Sequence, residues 1–157
     1  MTAPPAAAPA LRLVAHLEIE VGPAVEVGQL AHGFRRVVPI TGGRVSGALL
    51  TGRVLPGGVD FQLIRSPTET EVEARYLIES DRGELVYVVN RGLRTASAED
   101  IARLRADEPV DPARVYFRTS PSFETAAPRL RDLTDHVFLG VGVRQPRAVL
   151  FDVFQVD

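Results

Sequence analysis

Between Leu11 and Val21 the chain alternates in type. Leu11, Leu13, Ala15, Leu17, Ile19 and Val21 stand on one side and Arg12, His16, Glu18 and Glu20 on the other. A period of two describes a strand with one face buried, and no helix can present it as a stripe. Similar short segments return at Gly33 to Ile40, Val45 to Leu50, Gly52 to Leu55, Val59 to Arg65, Glu71 to Glu79 and Glu84 to Asn90, then at Val115 to Thr119, His136 to Arg144 and Arg147 to Val156. Turn chemistry separates them: Gly22-Pro23, Gly42-Gly43, Pro56-Gly57-Gly58 and Ser80-Asp81-Arg82-Gly83. Pro39 suits an edge or a bulge better than a central ladder position. One short amphipathic helix is expected near 97–107, opened by Ser97 with Asp100 three residues on and carrying Ile101 and Leu104 before Pro109. Many short strands without a strand-helix-strand rhythm favour an antiparallel barrel or sandwich. Gly33, Gly47, Gly52, Gly140 and Gly142, scattered inside strands, favour the barrel, where corners need them. The expected fold is therefore mainly all-β: a single antiparallel, lipocalin-like β-barrel domain over residues 11–157 behind an Ala/Pro tail at 1–10.

Composition limits the chemistry. The chain of 157 residues carries 18 basic and 20 acidic side chains for a net charge of −2, so no basic surface for nucleic acid is expected. It has no cysteine, which removes disulfides, thiolate metal sites and cysteine nucleophiles. Every basic residue apart from histidine is arginine, which removes Schiff-base catalysis and a P-loop lysine; a GC-rich codon bias accounts for that absence as readily as function does. No apolar run is long enough to cross a bilayer, and Met1 to Ala10 lacks the basic and apolar regions of an export signal. A cytoplasmic protein without a membrane partner is the expectation.

Familiar catalytic motifs are missing. His16, His32 and His136 are isolated, so no metal site is expected. Gly140-Val141-Gly142 lies inside a strand with no helix after it, which fails the context of a phosphate loop. There is no Gly-x-Ser-x-Gly elbow. No cofactor is expected.

What remains are charged and phenolic residues inside strand-forming segments: Arg35, Asp60, Gln62, Glu73, Arg75, Tyr76, Tyr87, Asn90, Tyr116, Arg118 and Glu124. Alternation places Asp60 with Gln62, Glu73 with Arg75, and Tyr116 with Arg118 on shared faces. A lumen formed by such faces could raise a carboxyl pKa and hold an enolate or carboxylate oxygen on arginine. The same pairs are equally ordinary as decoration of an outer sheet face. Alternation alone does not say which face is the lumen.

The chain resembles the DUF3237 (UPF0311) family of bacterial and fungal proteins over roughly residues 11–157. The resemblance is carried by Gly33-Phe34-Arg35-Arg36-Val37-Val38-Pro39-Ile40-Thr41-Gly42-Gly43, Leu55-Pro56-Gly57-Gly58-Val59-Asp60-Phe61-Gln62, Ala74-Arg75-Tyr76, Asn90-Arg91-Gly92 and Tyr116-Phe117-Arg118-Thr119-Ser120-Pro121-Ser122-Phe123-Glu124. It implies an antiparallel β-barrel and supplies no reaction. It points to Asp60, Arg75, Tyr76, Arg118 and Glu124 as positions that line or support a site. Two departures stand out: Phe61 where the family usually has Trp, and Arg131-Asp132-Leu133 where an aromatic-Leu-Asn segment is usual, the latter expected at a rim that closes the pocket.

The expected function is small-molecule binding, with cofactor-independent isomerase or cyclase chemistry on an apolar carbonyl compound. Asp60 would be the acid or base, with Arg118 and Tyr76 holding the oxyanion. Arg35, Gln62, Arg75, Tyr87, Asn90, Tyr116 and Glu124 would bind the ligand. The alternatives are a noncatalytic carrier or sensor of an apolar or aromatic acid, and a structural interaction barrel with a filled core. Strand edges or the helix Ala98 to Ala106 could support a homo-oligomer.

Overall fold

A computed structural model describes residues 3–157. Residues 1 and 2 of the expected tail lie outside the described residues, and residues 3–10 are exposed without regular secondary structure. Ten strands follow: β1 (Leu11–Val21), β2 (Val25–Leu30), β3 (Gly33–Ser46), β4 (Gly52–Val54), β5 (Val59–Ser66), β6 (Glu69–Ser80), β7 (Leu85–Thr95), β8 (Tyr116–Thr125), β9 (Val137–Arg144) and β10 (Ala148–Val156). All pair antiparallel in one sheet that closes into an eight-strand barrel. The strands exceed the positions in the wall because two positions are shared. β1 pairs the second half of β3 and β2 the first half; β5 fills the slot between β3 and β6 at one end and β4 at the other.

The sharing explains two differences from the sequence expectation. Gly42-Gly43 does not turn the chain but lies within β3, where a side chain on Gly43 would collide with the Glu18 carbonyl of β1. Two expected strands are thus one bent strand that ends at Ser46. Pro39 sits where β1 hands over to β2: Val21 pairs Ile40 and Val25 pairs Val37. Its missing N–H falls at this break, and its carbonyl accepts from Gly22 N–H at 2.9 Å. β2 itself escapes the alternation pattern because Val25 and Val27 are both exposed and Gly28 bulges the strand at a φ of 123°.

The helices close the ends. Helix α1 (Ala98–Arg105) begins as its sequence predicts, with the Ser97 hydroxyl accepting from Asp100 N–H at 3.1 Å, and buries Ile101 and Leu104. A second helix, α2 (Asp132–Asp135), was not expected; with a 3-10 turn at Pro128–Leu130 it buries Leu130 and Leu133. These leucines join Ile78, Val86, Val88, Phe123 and Phe138 in an apolar core, where the Phe123 and Phe138 rings meet edge to face at 5.2 Å. The α2 end is filled by this packing, and the α1 end is not. No helix is long and apolar enough to cross a membrane among the described residues.

Candidate functional site

Side-chain parity changes character along the barrel. β7 points Val86 and Val88 inward near the α2 end, then Asn90 and, beyond Gly92, Arg94 toward the α1 end. Asn90 lies opposite Ala74 of β6, which lies opposite Asp60 of β5. Arg36 pairs Gln62, and Val38 pairs Asp60. β9 brings inward-facing Arg144 beside Val149 of β10. Near the α1 end the lumen thus gathers Asp60, Gln62, Asn90, Arg94 and Arg144 against Val38, Ile40, Val72, Phe117 and Phe151. The free space there is about 30 Å³, room for about two waters on the usual minimum of 10–15 Å³ each.

The polar groups are poorly matched to each other. Gln62 Nε2 donates to Asp60 Oδ2 at 2.7 Å. Asp60 Oδ1, Gln62 Oε1, Asn90 Oδ1 and Arg94 Nε are buried without a hydrogen-bond partner among the described residues. Arg94 is 4% exposed, and its guanidinium carbon lies 5.5 Å from the centre of the Phe117 ring. Burial pulls its pKa down to about 10, opposed by the charge of Asp60 and assisted by Arg144 and Arg36. Burial likewise raises the Asp60 carboxyl above its ordinary range, against the Gln62 hydrogen bond and the charge of Arg94. Folded proteins rarely leave a buried arginine unpaired, because desolvating the ion is costly.

The sequence candidates divide by face. Asp60, Gln62 and Asn90 line the lumen. Tyr76 is 3% exposed and faces inward deeper in the core; its hydroxyl has no partner, and burial followed by the charge of Asp60 raises its pKa, which keeps it protonated. The others lie on the outer wall, contrary to the expectation that they share the lumen. Arg75 pairs with Glu73 and donates to the Tyr87 hydroxyl at 3.2 Å. Arg118 is exposed, lies 5.1 Å from the centre of the exposed Tyr116 ring and donates to the Phe117 carbonyl. Glu124 is exposed, and Arg35 with Phe61 borders an outer groove. β8 buries Phe117, Thr119, Pro121 and Phe123, so its even-numbered residues must face out. Phe61 therefore lies off the lumen, and Arg131-Asp132-Leu133 caps the apolar end instead of rimming the pocket.

Sequence reasoning missed Arg94 and Arg144. The Arg94 signal was present: Val86, Val88 and Asn90 share its parity, and extending β7 by four residues reaches it. His16, outside the barrel, is held by Asp152 at 2.7 Å. Among the described residues no group of three or more His, Asp or Glu could hold a metal ion.

A closed antiparallel barrel with Asp60, Arg94 and Arg144 inside one end of its lumen defines the class: a small barrel with a polar end to its core. The chain belongs to the DUF3237 family, whose model, described as a protein of unknown function, matches residues 9–156. A UPF0311 protein of Rhodopseudomonas palustris is 44% identical over 87% of this chain and 89% of its own. The crystal structure of a conserved protein of unknown function from the same species superposes with a TM-score of 0.91 at 39% identity, covering 97% of this chain and 99% of that one. A beta-barrel like protein of Acinetobacter baumannii superposes at 0.84 with 34% identity and full coverage of both chains.

Proposed function

We propose that the α1 end of the lumen is a small-molecule site that seats an anionic or enolisable oxygen on Arg94, with Asp60 as the acid or base beside it. The observation that carries this reading is the buried, hydrogen-bond-deficient guanidinium of Arg94 facing the same space as a carboxyl of raised pKa. A carboxylate or an enolate oxygen would supply what Arg94 lacks, and the aliphatic and phenyl wall would cover an apolar body. A carboxyl with a raised pKa is suited to move a proton at a carbon next to a carbonyl. Tyr76, neutral and unpartnered, is a further donor near Asp60. Arg94 takes the oxyanion role that the sequence suggested for Arg118.

The test is a screen of apolar carboxylic acids and ketones by titration calorimetry, with deuterium uptake at the α-carbon of the ketones followed by NMR. Arg94→Met is expected to lose binding, and Asp60→Asn to keep binding while losing exchange. Undiminished binding by Arg94→Met would overturn the reading. A carrier without turnover is the second reading, favoured by Arg36, Arg94 and Arg144 outnumbering Asp60 at this end; it predicts binding with no deuterium uptake by the unaltered protein.

A further inference from the structure

At about 30 Å³ the lumen has room for the oxygen-bearing end of the ligand just proposed, and since sites for small molecules commonly span about 300–1,000 Å³ the rest of such a ligand must lie outside it. Immediately outside it lies a depression of about 490 Å³ bordered by Val21, Gly22, Pro23, Asp107, Pro146 and Arg147. Val21 lines both spaces. Between them stands an ion pair: Asp107 Oδ1 accepts from Arg144 Nη2 at 2.8 Å, with the Arg144 side chain 6% exposed and that of Asp107 48% exposed. Asp107 follows the end of α1 and is the one non-glycine residue among those described with a positive φ, at 57°. This is the left-handed position that commonly ends a helix, and the cap is formed here: Asp107 N–H donates to the Leu104 carbonyl at 3.2 Å and Glu108 N–H to the Arg103 carbonyl at 2.9 Å. The cap fixes where the Asp107 carboxylate stands against Arg144, and two residues earlier the Arg105 carbonyl accepts from buried Arg36 at 3.2 Å. The last residue of α1 and Asp107 just beyond its cap thus occupy two of the three arginines at this end of the barrel.

We infer that the depression is the vestibule of the lumen and that Asp107 is a built-in counter-ion, displaced from Arg144 by the anionic group of an incoming ligand. The inference rests on the lumen reading above. Exposed Arg147 at the rim, Arg144 at the neck and Arg94 inside form a graded path of positive charge. Asp107 closes that path with a carboxylate tethered to the chain. An anion that replaces it keeps Arg144 paired, so access for anions costs little, whereas a cation entering the neck would meet three arginines.

The absence of cysteine makes the route directly measurable. Ala74→Cys places a single thiol in the lumen wall, to be labelled with 2-sulfonatoethyl methanethiosulfonate, an anion, and separately with its trimethylammonium counterpart, a cation. In this background the anion is expected to react faster than the cation. Asp107→Asn, which suits positive φ as Asp does, is expected to raise the anion's rate about tenfold, with the cation's changed far less. Arg147→Gln, an exposed substitution that leaves the neck intact, is expected to slow the anion about twofold. Rates unaltered by Asp107→Asn, or raised equally for both reagents, would overturn the inference, as would an anion rate indifferent to Arg147→Gln. Arg94→Met separates the two readings: if the anion keeps its full advantage there while Asp107→Asn still accelerates it, the vestibule stands and the seat on Arg94 fails.

Discussion

Arg94 carries a cost in the unliganded fold. It is almost completely buried, and its Nε has no partner. A buried guanidinium without a partner keeps its desolvation cost uncompensated, a cost that an apolar side chain of similar length does not carry. Arg94→Met should therefore raise the melting temperature by several degrees in calorimetry while ligand binding is lost. A purely structural arginine would show the opposite, a fall in melting temperature. Asp60 gives a pH signature of defined sign. Its pKa is raised in the folded state, so between the ordinary carboxylate value and the raised one the folded chain holds a proton that the unfolded chain has released. Stability contributed here falls as pH rises through that window and is greatest below it. Asp60→Asn should flatten this part of the stability-pH curve, measured by urea unfolding at a series of pH values. The sequence exposed the candidate types but not their facing: Asp60 and Gln62 were legible as one face of a strand, whereas Arg75 and Arg118 have the same chemistry on the wrong parity. The buried aromatic series Phe117 and Phe123 held the information that sends Arg118 outward.

At the scale of elements, α1 was the most legible piece because its cap is local chemistry. Ser97→Ala removes the hydroxyl that accepts from Asp100 N–H and should cost about 1 kcal/mol by chemical denaturation, with faster hydrogen exchange in the first turn of α1. The ends of β1 are legible from alternation, but a bulge between Leu13 and Ala15 buries Val14 and turns Leu11 and Leu13, expected on the buried face, out to solvent; β2 is not legible, since both of its valines face solvent and its bulge breaks the period. The bend at Gly42-Gly43 was legible only as glycine; that these residues continue a strand depends on β1 lying across them, a partner distant in the chain. β9 depends on small residues in a similar way. A Cβ on Gly142 would sit 2.6 Å from the Phe117 ring. Gly142→Ala should displace that ring toward the cavity and destabilise the fold by about 1–3 kcal/mol, with changed shifts of the Phe117 ring in NMR as the specific readout.

For the whole molecule, closure is uneven. β6 and β7 pair continuously from Glu69–Thr95 to Glu79–Leu85, whereas β8 and β9 pair only at Arg118–Val141 and Thr119–Gly140. Backbone amides flanking this short ladder should exchange with solvent well before those of β6 and β7, as hydrogen-exchange mass spectrometry would detect; equal protection across both seams would contradict a weak line in the wall. The barrel class was legible from strand spacing, but this seam was not, because pairing strength depends on which distant segments meet. The β1–β10 seam has its own consequence. β1 closes the ring by pairing with β10, and the Arg12–Asp157 contact beside it joins residues 145 apart in the chain. At about 5–20 residues per second of synthesis, β1 waits about 7–30 seconds for the partner that covers its edge. During that interval the edge of β1 that β10 will cover stays unpaired, the kind of exposed strand edge on which unfinished chains associate with one another.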